Sequence, residues 1–113
     1  MQQQEHRPVL LDEVIEHLRC TAGKYFVDGT VGGGGHARAI LEKTAPDGRL
    51  IGIDWDAAAL AKAQSNLQPY KERLVLVREN FARIGQVLAR LQVQAVDGIL
   101  LDLGLSSFQV DAA

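Results

Sequence analysis

A glycine-rich loop between two short apolar runs is the feature that most constrains the fold of this chain. Five glycines fall within the seven residues 29–35, directly after an apolar run that ends in Asp28. A second apolar run, residues 50–53, ends in Asp54, twenty residues after Gly34. Glycines let the backbone approach a ligand, the following helix offers N–H groups, and the second acid can bind a ribose diol. The layout predicts a site for an adenosine-containing cofactor at the carboxyl end of a parallel sheet.

Alternating strand and helix patterns extend this layout along the chain. The predicted strands are residues 25–27, 50–53, 74–77 and 99–101. The predicted helices cover residues 10–18 and 36–43 and follow two capping residues, Asp56 and Asn80. Strands that alternate with helices of this length indicate βαβ units, so the predicted fold class is α/β with a parallel sheet.

Three of these elements carry specific expectations about burial. Residues 74–77 are apolar at every position, which predicts a strand covered on both faces. The helix after Asn80 is expected to carry its apolar residues on one side; they are Phe81, Ile84, Val87, Leu88 and Leu91. Residues 99–101 have the pattern of an interior strand, yet no following sequence can pair with the far edge, and complete domains avoid an unprotected apolar edge. The chain is therefore expected to be the first half of a larger domain.

Composition excludes several classes of protein. The 113 residues are 47% hydrophobic and 23% charged, which is typical of one small globular domain. No apolar run approaches the roughly 20 residues of a bilayer span, and no signal peptide is present, so we expect a cytoplasmic protein without a membrane partner. Cys20, the single cysteine, excludes an internal disulfide and a multi-cysteine zinc site. We expect it to be a buried thiol, and we expect no metal. A net charge of −2 provides no general basic field for nucleic acid.

The glycine loop is compatible with two cofactors. Gly32, Gly34 and Ala37 satisfy the dinucleotide fingerprint, which favours a nicotinamide-dependent oxidoreductase. An acid at each of three strand ends favours a ligand without phosphates: Asp28, Asp54 and Asp102. Carboxylates repel a pyrophosphate but suit a cationic ligand such as S-adenosylmethionine, with its sulfonium and ammonium groups. The alternative for these acids is that they only cap the helices that follow.

Six blocks of the sequence, taken together, carry a resemblance to a known family. They are HRPVLLDEV at 6–14, VDGT at 27–30, GGH at 34–36, GID at 52–54, NF at 80–81 and DGILLDLGLSSFQVD at 97–111. Together, and in collinear order, they resemble the small-subunit ribosomal RNA methyltransferase H family. The resemblance implies a Rossmann-like methyltransferase parallel sheet of which only the first four strands are present. Residues 1–113 would then form the amino-terminal half of an S-adenosylmethionine-binding methyltransferase domain.

The resemblance also implies a reaction and a set of site residues. The family methylates the exocyclic amine of a cytosine in small-subunit ribosomal RNA and uses S-adenosylmethionine. The implied cofactor contacts are Gly34, Gly35, His36, Asp54, Phe81, Asp102 and Gln109. Among them, Asp54 would accept from the ribose hydroxyls and Phe81 would offer apolar surface to the adenine. Asp102 is the candidate catalytic residue, since its carboxylate could accept a hydrogen bond from the target amine.

Structural alternatives remain beside these implied roles. His36 could bond only to backbone at a helix start, Phe81 could be core packing, and Gln109 could be a solvated loop residue. The family continues past residue 113 with further strands and a substrate region. We therefore expect this chain alone to be inactive in methyl transfer and to self-associate through its open fourth strand. A non-catalytic cofactor-binding fragment is the remaining alternative.

Overall fold

The computed structural model describes residues 18–32 and 34–101. Within them lie four strands, which are β1 (Tyr25–Asp28), β2 (Arg49–Asp54), β3 (Leu74–Arg78) and β4 (Gly98–Leu100). The α-helices that connect these strands are α1 (Gly35–Lys43), α2 (Ala57–Asn66) and α3 (Ile84–Arg90). Short 3₁₀ turns, Gln68–Arg73 and Phe81–Arg83, precede β3 and α3. The predicted α/β class and all four strands are confirmed, whereas the helix predicted over 10–18 lies, except for Leu18, outside the described residues.

The strand order creates a crevice beside β1. All pairings are parallel, and the order across the sheet is β3-β2-β1-β4. The chain moves outward from β1 to β3 and then returns to the other side of β1, where Val27 lies opposite Ile99 of β4. Ligands of open α/β sheets bind outside the carboxyl ends of the strands at such a reversal. The glycine loop, which follows β1, is placed at this position.

Helices cover both faces of the sheet because successive strand residues face opposite sides. Phe26 and Leu50 belong to one buried cluster, together with Ile40 of α1 and Ala63 of α2. The neighbouring residues Val27 and Ile51 belong to a second cluster with Val87 of α3. The result is a three-layer arrangement in which the sheet forms the middle layer.

The two predicted helix caps form, but one of them begins a different element. Asp56 Oδ1 accepts from Ala58 N at 2.9 Å and caps α2, as predicted. Asn80 Oδ1 accepts from Ala82 N at 2.8 Å, but it begins the 3₁₀ turn, and α3 starts only at Ile84. Leu91, predicted on the apolar side of this helix, instead follows the end of α3 at Arg90 and is 37% exposed.

The expectation that β3 is covered on both faces is also wrong. This strand lies at one end of the described sheet, and Val75 is 41% exposed. The cluster around α3 includes Val27, Ile51 and Ile53 but reaches β3 only at Val77. Strand β3 is apolar at four successive positions, yet Val75 is not part of the cluster that contains residues of α3 and stays partly exposed.

Cys20 matches the expectation of a buried thiol. Cys20 is a buried free thiol, and this burial raises its pKa from the ordinary value of 9.0 because the thiolate would lose hydration. None of the helices between residues 18 and 101 that the structure describes combines the length and hydropathy of a bilayer span.

Candidate functional site

The glycine loop is fastened to the strands on both sides of β1. Gly29 N donates to the carbonyl of Leu100 in β4 at 2.8 Å, and Val31 N donates to the carbonyl of Ile53 in β2 at 2.9 Å. The loop therefore lies across the carboxyl ends of three adjacent strands, so its backbone is positioned by long-range hydrogen bonds and not by its glycine-rich sequence alone.

Two glycines of the loop adopt conformations that side chains disfavour. Gly34, the N-cap residue of α1, has φ of +97°, and a Cβ placed on it would lie 3.1 Å from Leu67 Cδ1. Gly32 has φ of +54°, but a Cβ there would meet only the Thr30 carbonyl oxygen at 3.9 Å. Gly34 is thus fixed by packing against α2, whereas the space beside Gly32 is open. A ligand can approach the backbone closely at Gly32.

Asp54 joins the end of β2 to the loop. Its Oδ2 accepts from Gly32 N at 3.0 Å, and its Oδ1 accepts from Asp56 N at 2.9 Å. The side chain is half-buried. An ionised carboxylate offers about four lone-pair sites, so two N–H donors leave it able to accept from two hydroxyl groups as well. The structure therefore brings the predicted ribose-binding residue to the edge of the glycine loop.

Asp28, the acid at the end of β1, lies deeper than Asp54. It is 1% exposed, and its Oδ1 accepts from Thr30 N at 3.1 Å. This bond from a carboxylate to the N–H two residues later is a local turn that shapes the start of the loop. In the structure Asp28 thus supports the start of the glycine loop.

The other predicted cofactor residues occupy the start of α1 and the segment after β3. Gly35 and His36 form the first turn of α1, and His36 is 9% exposed. Phe81 is half-buried, and a Cβ placed on Gly29 would lie 3.4 Å from its Cδ1. Phe81 therefore approaches the loop from the β1 side, and the structure brings it together with Asp54 and the glycines at one edge of the sheet.

Asp102 and Gln109 lie outside the described residues, so their roles stay predictions. The described residues include no group of three His, Cys, Asp or Glu side chains that could hold a metal ion. An open groove of about 630 Å³ between α2 and β3 contains none of the predicted site residues; Leu60, Lys71 and Arg78 are among the residues that line it.

The structure adds Trp55 and Arg78 to this edge. Sequence analysis did not single them out, although Trp55 is the only tryptophan of the chain and directly follows Asp54. Arg78 is paired with Asp54 in the β2–β3 register, and its Nε donates to the Trp55 carbonyl oxygen at 2.9 Å, so both residues lie next to Asp54 in the backbone.

Comparisons with known proteins identify one family. The sequence profile of the MraW methylase family matches residues 3–113. A protein named ribosomal RNA small subunit methyltransferase H from Syntrophus aciditrophicus (strain SB) is 56% identical over 108 residues, which are 96% of this chain and 34% of the relative. The protein of the same name from Geobacter sulfurreducens is 55% identical over 108 residues, which are 96% of this chain and 35% of the relative. The chain thus spans about a third of the length of the curated relatives it matches.

Solved structures share the fold at low sequence identity. An S-adenosylmethionine-dependent O-methyltransferase from Thermotoga maritima has a TM-score of 0.68 and 17% identity, with 88% of this chain and 36% of that chain covered. Aeropyrum pernix fibrillarin, solved with natively bound S-adenosyl-L-methionine, has a TM-score of 0.61 and 16% identity, with 75% and 36% covered. These likenesses confirm the Rossmann-like methyltransferase sheet that the sequence predicted.

Proposed function

The chain belongs to the MraW methylase family, and on that premise we propose that it is the cofactor-binding, amino-terminal half of an S-adenosylmethionine-dependent methyltransferase domain. The observation that carries the proposal is the 3.0 Å hydrogen bond from Gly32 N to Asp54 Oδ2. It holds an acceptor for a ribose diol directly beside an open glycine loop. The whole protein's substrate would be small-subunit ribosomal RNA, the substrate contained in the names of its relatives.

The residues at this edge fit such a cofactor. The space beside Gly32 admits a ligand to the backbone, and Asp54 keeps acceptor capacity for hydroxyl groups. Gly34 caps α1 without any side-chain hydrogen bond, so the amino terminus of this helix suits the carboxylate of the methionine part. Phe81 borders the site on the β1 side, where it offers apolar surface to the adenosine.

When bound, S-adenosylmethionine supplies a methyl group that is bonded to a sulfonium sulfur. The thioether that departs when this methyl group is transferred is a good leaving group. The protein then has to place the target amine in line with that methyl group, because alignment supplies much of the rate acceleration. We assign to Asp102 the acceptance of a hydrogen bond from the exocyclic amine of a cytosine, which would orient the lone pair of the amine. Gln109 is proposed as a further contact at the same point.

The nicotinamide alternative has no support in a family of methylases. Its fingerprint, Gly32 to Ala37, serves here as the turn into α1. A non-catalytic cofactor-binding fragment remains the alternative for residues 1–113 by themselves. We place the reaction of the whole protein in the cytoplasm.

Two measurements on the full-length protein test the proposal. Calorimetric titration should detect binding of S-adenosylmethionine and no binding of NAD. With a radiolabelled methyl donor, small ribosomal subunits from cells that lack this methyltransferase should accept label, and subunits from cells that contain it should not. Micromolar binding of NAD with none of S-adenosylmethionine would refute the proposal.

A further inference from the structure

Positive charge is concentrated in one segment of the chain, although the whole chain has a net charge of −2. Between residues 57 and 90, six Lys and Arg side chains stand against two Glu side chains, so this segment has a charge of +4. The segment comprises α2, β3, α3 and the two 3₁₀ turns. A local basic surface can attract a polyanion even where the protein as a whole is negative.

The open groove between α2 and β3 lies within this basic segment. Ten of the described residues line it, all of them between residues 57 and 78. Two of the ten are cationic, Lys71 and Arg78, and none is acidic, while Gln64 and Gln68 add amide groups. The apolar part of the groove is made of buried or half-buried leucines, which are Leu60, Leu67, Leu74 and Leu76. The groove therefore offers cationic and amide donors beside an apolar wall.

Both cations of the groove have donors available for an anion. Lys71 is exposed and forms no ion pair within the part of the chain that the structure describes. Arg78 is exposed as well; its Nε donates to the Trp55 carbonyl oxygen at 2.9 Å, and its Cζ lies 5.1 Å from the centroid of the indole ring. These contacts fix the guanidinium, whose two terminal nitrogens donate to no acceptor among the described residues. Arg73, in contrast, donates both terminal nitrogens to backbone carbonyls at 2.7 and 2.9 Å.

The groove leads to the edge of the sheet that holds the proposed cofactor site. Arg78 ends β3 and is paired with Asp54 in the β2–β3 register, whereas Lys71 lies in the 3₁₀ turn before β3. At about 3.3 Å per residue, β3 extends roughly 13 Å from its first residue to its last. A few nucleotides of a single strand fit along such a length, and at Arg78 they reach the edge where Asp54 and the glycine loop lie.

Resting on the proposed function, we propose that this groove binds the sugar–phosphate backbone of the RNA substrate beside the target nucleotide, with Lys71 and Arg78 as phosphate contacts. Phosphate oxygens accept hydrogen bonds from lysine, arginine and glutamine side chains, and such contacts position a nucleic acid without reading its sequence. Another possible occupant is a further segment of the protein, since the chain spans about a third of the length of its relatives. The two cations, with no acid among the described lining residues, favour a polyanion.

The test uses the full-length protein, labelled with a fluorophore, and small ribosomal subunits from cells that lack this methyltransferase. Fluorescence anisotropy measures binding over a range of salt concentrations. Lys71→Gln should weaken binding roughly 2- to 5-fold, the effect of losing one exposed ion pair. It should also lower the slope of log K against log salt by about 0.7, the contribution of one phosphate of a single strand. Lys62→Gln is the matched control, because Lys62 is exposed on α2 but does not line the groove, and it should leave the slope unchanged.

A second pair of variants tests the groove by adding charge. Ala61→Glu places a carboxylate in the groove at an exposed position of α2, and it should weaken binding of subunits more than Lys71→Gln because the carboxylate repels phosphates. Ser65→Glu adds the same charge to the same helix outside the groove and should have a smaller effect. All four variants should bind S-adenosylhomocysteine as tightly as the parent, since none of these residues belongs to the proposed cofactor site.

The outcomes separate this inference from the proposed function. If Lys71→Gln and Ala61→Glu bind subunits with the affinity and salt slope of the parent, the inference is wrong and the proposed function stands. If these two variants bind subunits normally but unfold at lower urea concentrations than their controls, a further segment of the protein fills the groove, and the inference is again wrong. A parent protein that binds neither S-adenosylhomocysteine nor small subunits would instead overturn the proposed function, and this inference with it.

Discussion

Replacing Asp54 by alanine should weaken both the fold and the cofactor site, by amounts that the hydrogen bonds allow us to estimate. The variant leaves the partly buried Gly32 N–H without its acceptor, which costs about 1–3 kcal/mol of unfolding free energy. The exposed Asp56 N–H regains water and adds little. In the complex, two ribose hydroxyls lose an ionised acceptor, and a loss of about 1–3 kcal/mol corresponds to roughly 5- to 150-fold weaker binding.

Asp56→Ala is the matched control. It removes the cap of α2, in which Asp56 Oδ1 accepts from Ala58 N, and should cost about 1 kcal/mol of stability. Its carboxylate makes no bond to the glycine loop among the described contacts, so cofactor affinity should not change. Urea unfolding and calorimetric titration of the full-length variants measure the two effects separately.

A ligand that lacks one ribose hydroxyl distinguishes direct contact from loop support. In the parent protein, the 2′-deoxy analogue of S-adenosylhomocysteine should bind more weakly than the natural ligand. In Asp54→Ala the two ligands should bind almost equally, because the variant has already lost the acceptor. Equal discrimination in both proteins would show that Asp54 supports the loop and does not bind the ribose.

Three further predictions follow from the fold. Gly34→Ala should destabilise the protein by about 1–3 kcal/mol, since φ of Gly34 is positive and the new Cβ would press on Leu67. Gly85→Ala should stabilise it by about 0.5–1 kcal/mol, because Gly85 lies inside α3 with open space around it. Thermal unfolding that ranks the two variants the other way would contradict this. Burial raises the pKa of Cys20, so the folded state holds the thiol proton more tightly than the unfolded state. The free energy of unfolding should therefore not depend on this group below the unfolded-state pKa and should fall as pH rises above it. Urea unfolding of Cys20→Ala should lack that part of the pH dependence. Residues 1–113 alone should self-associate through β4 in size-exclusion chromatography and transfer no methyl group to small ribosomal subunits, and a monodisperse, active monomer would refute this.

Local patterns in the sequence were sufficient to predict the four strands and the cap at the start of α2. The four apolar runs became strands, and Asp56 capped α2, because side-chain periodicity and capping involve residues only a few positions apart. The six sequence blocks were sufficient to identify the family, and the profile match over residues 3–113 confirms it. The run of glycines also predicted a tight turn into α1, and Gly32 and Gly34 have the positive φ angles that favour glycine.

Tertiary structure decided what depends on neighbours that are distant in sequence. The exposure of Val75 accompanies the place of β3 at one end of the sheet that the described residues form, a place that its apolar sequence does not encode. The 22-residue separation between Gly32 and Asp54 is closed by strand pairing, and only then does the acid meet the loop. The contact between Trp55 and Arg78 likewise exists because β2 and β3 are adjacent and in one register. Periodicity fixes which way a side chain faces within its own strand, but the strand beside it is chosen by the packing of the whole sheet and its helices.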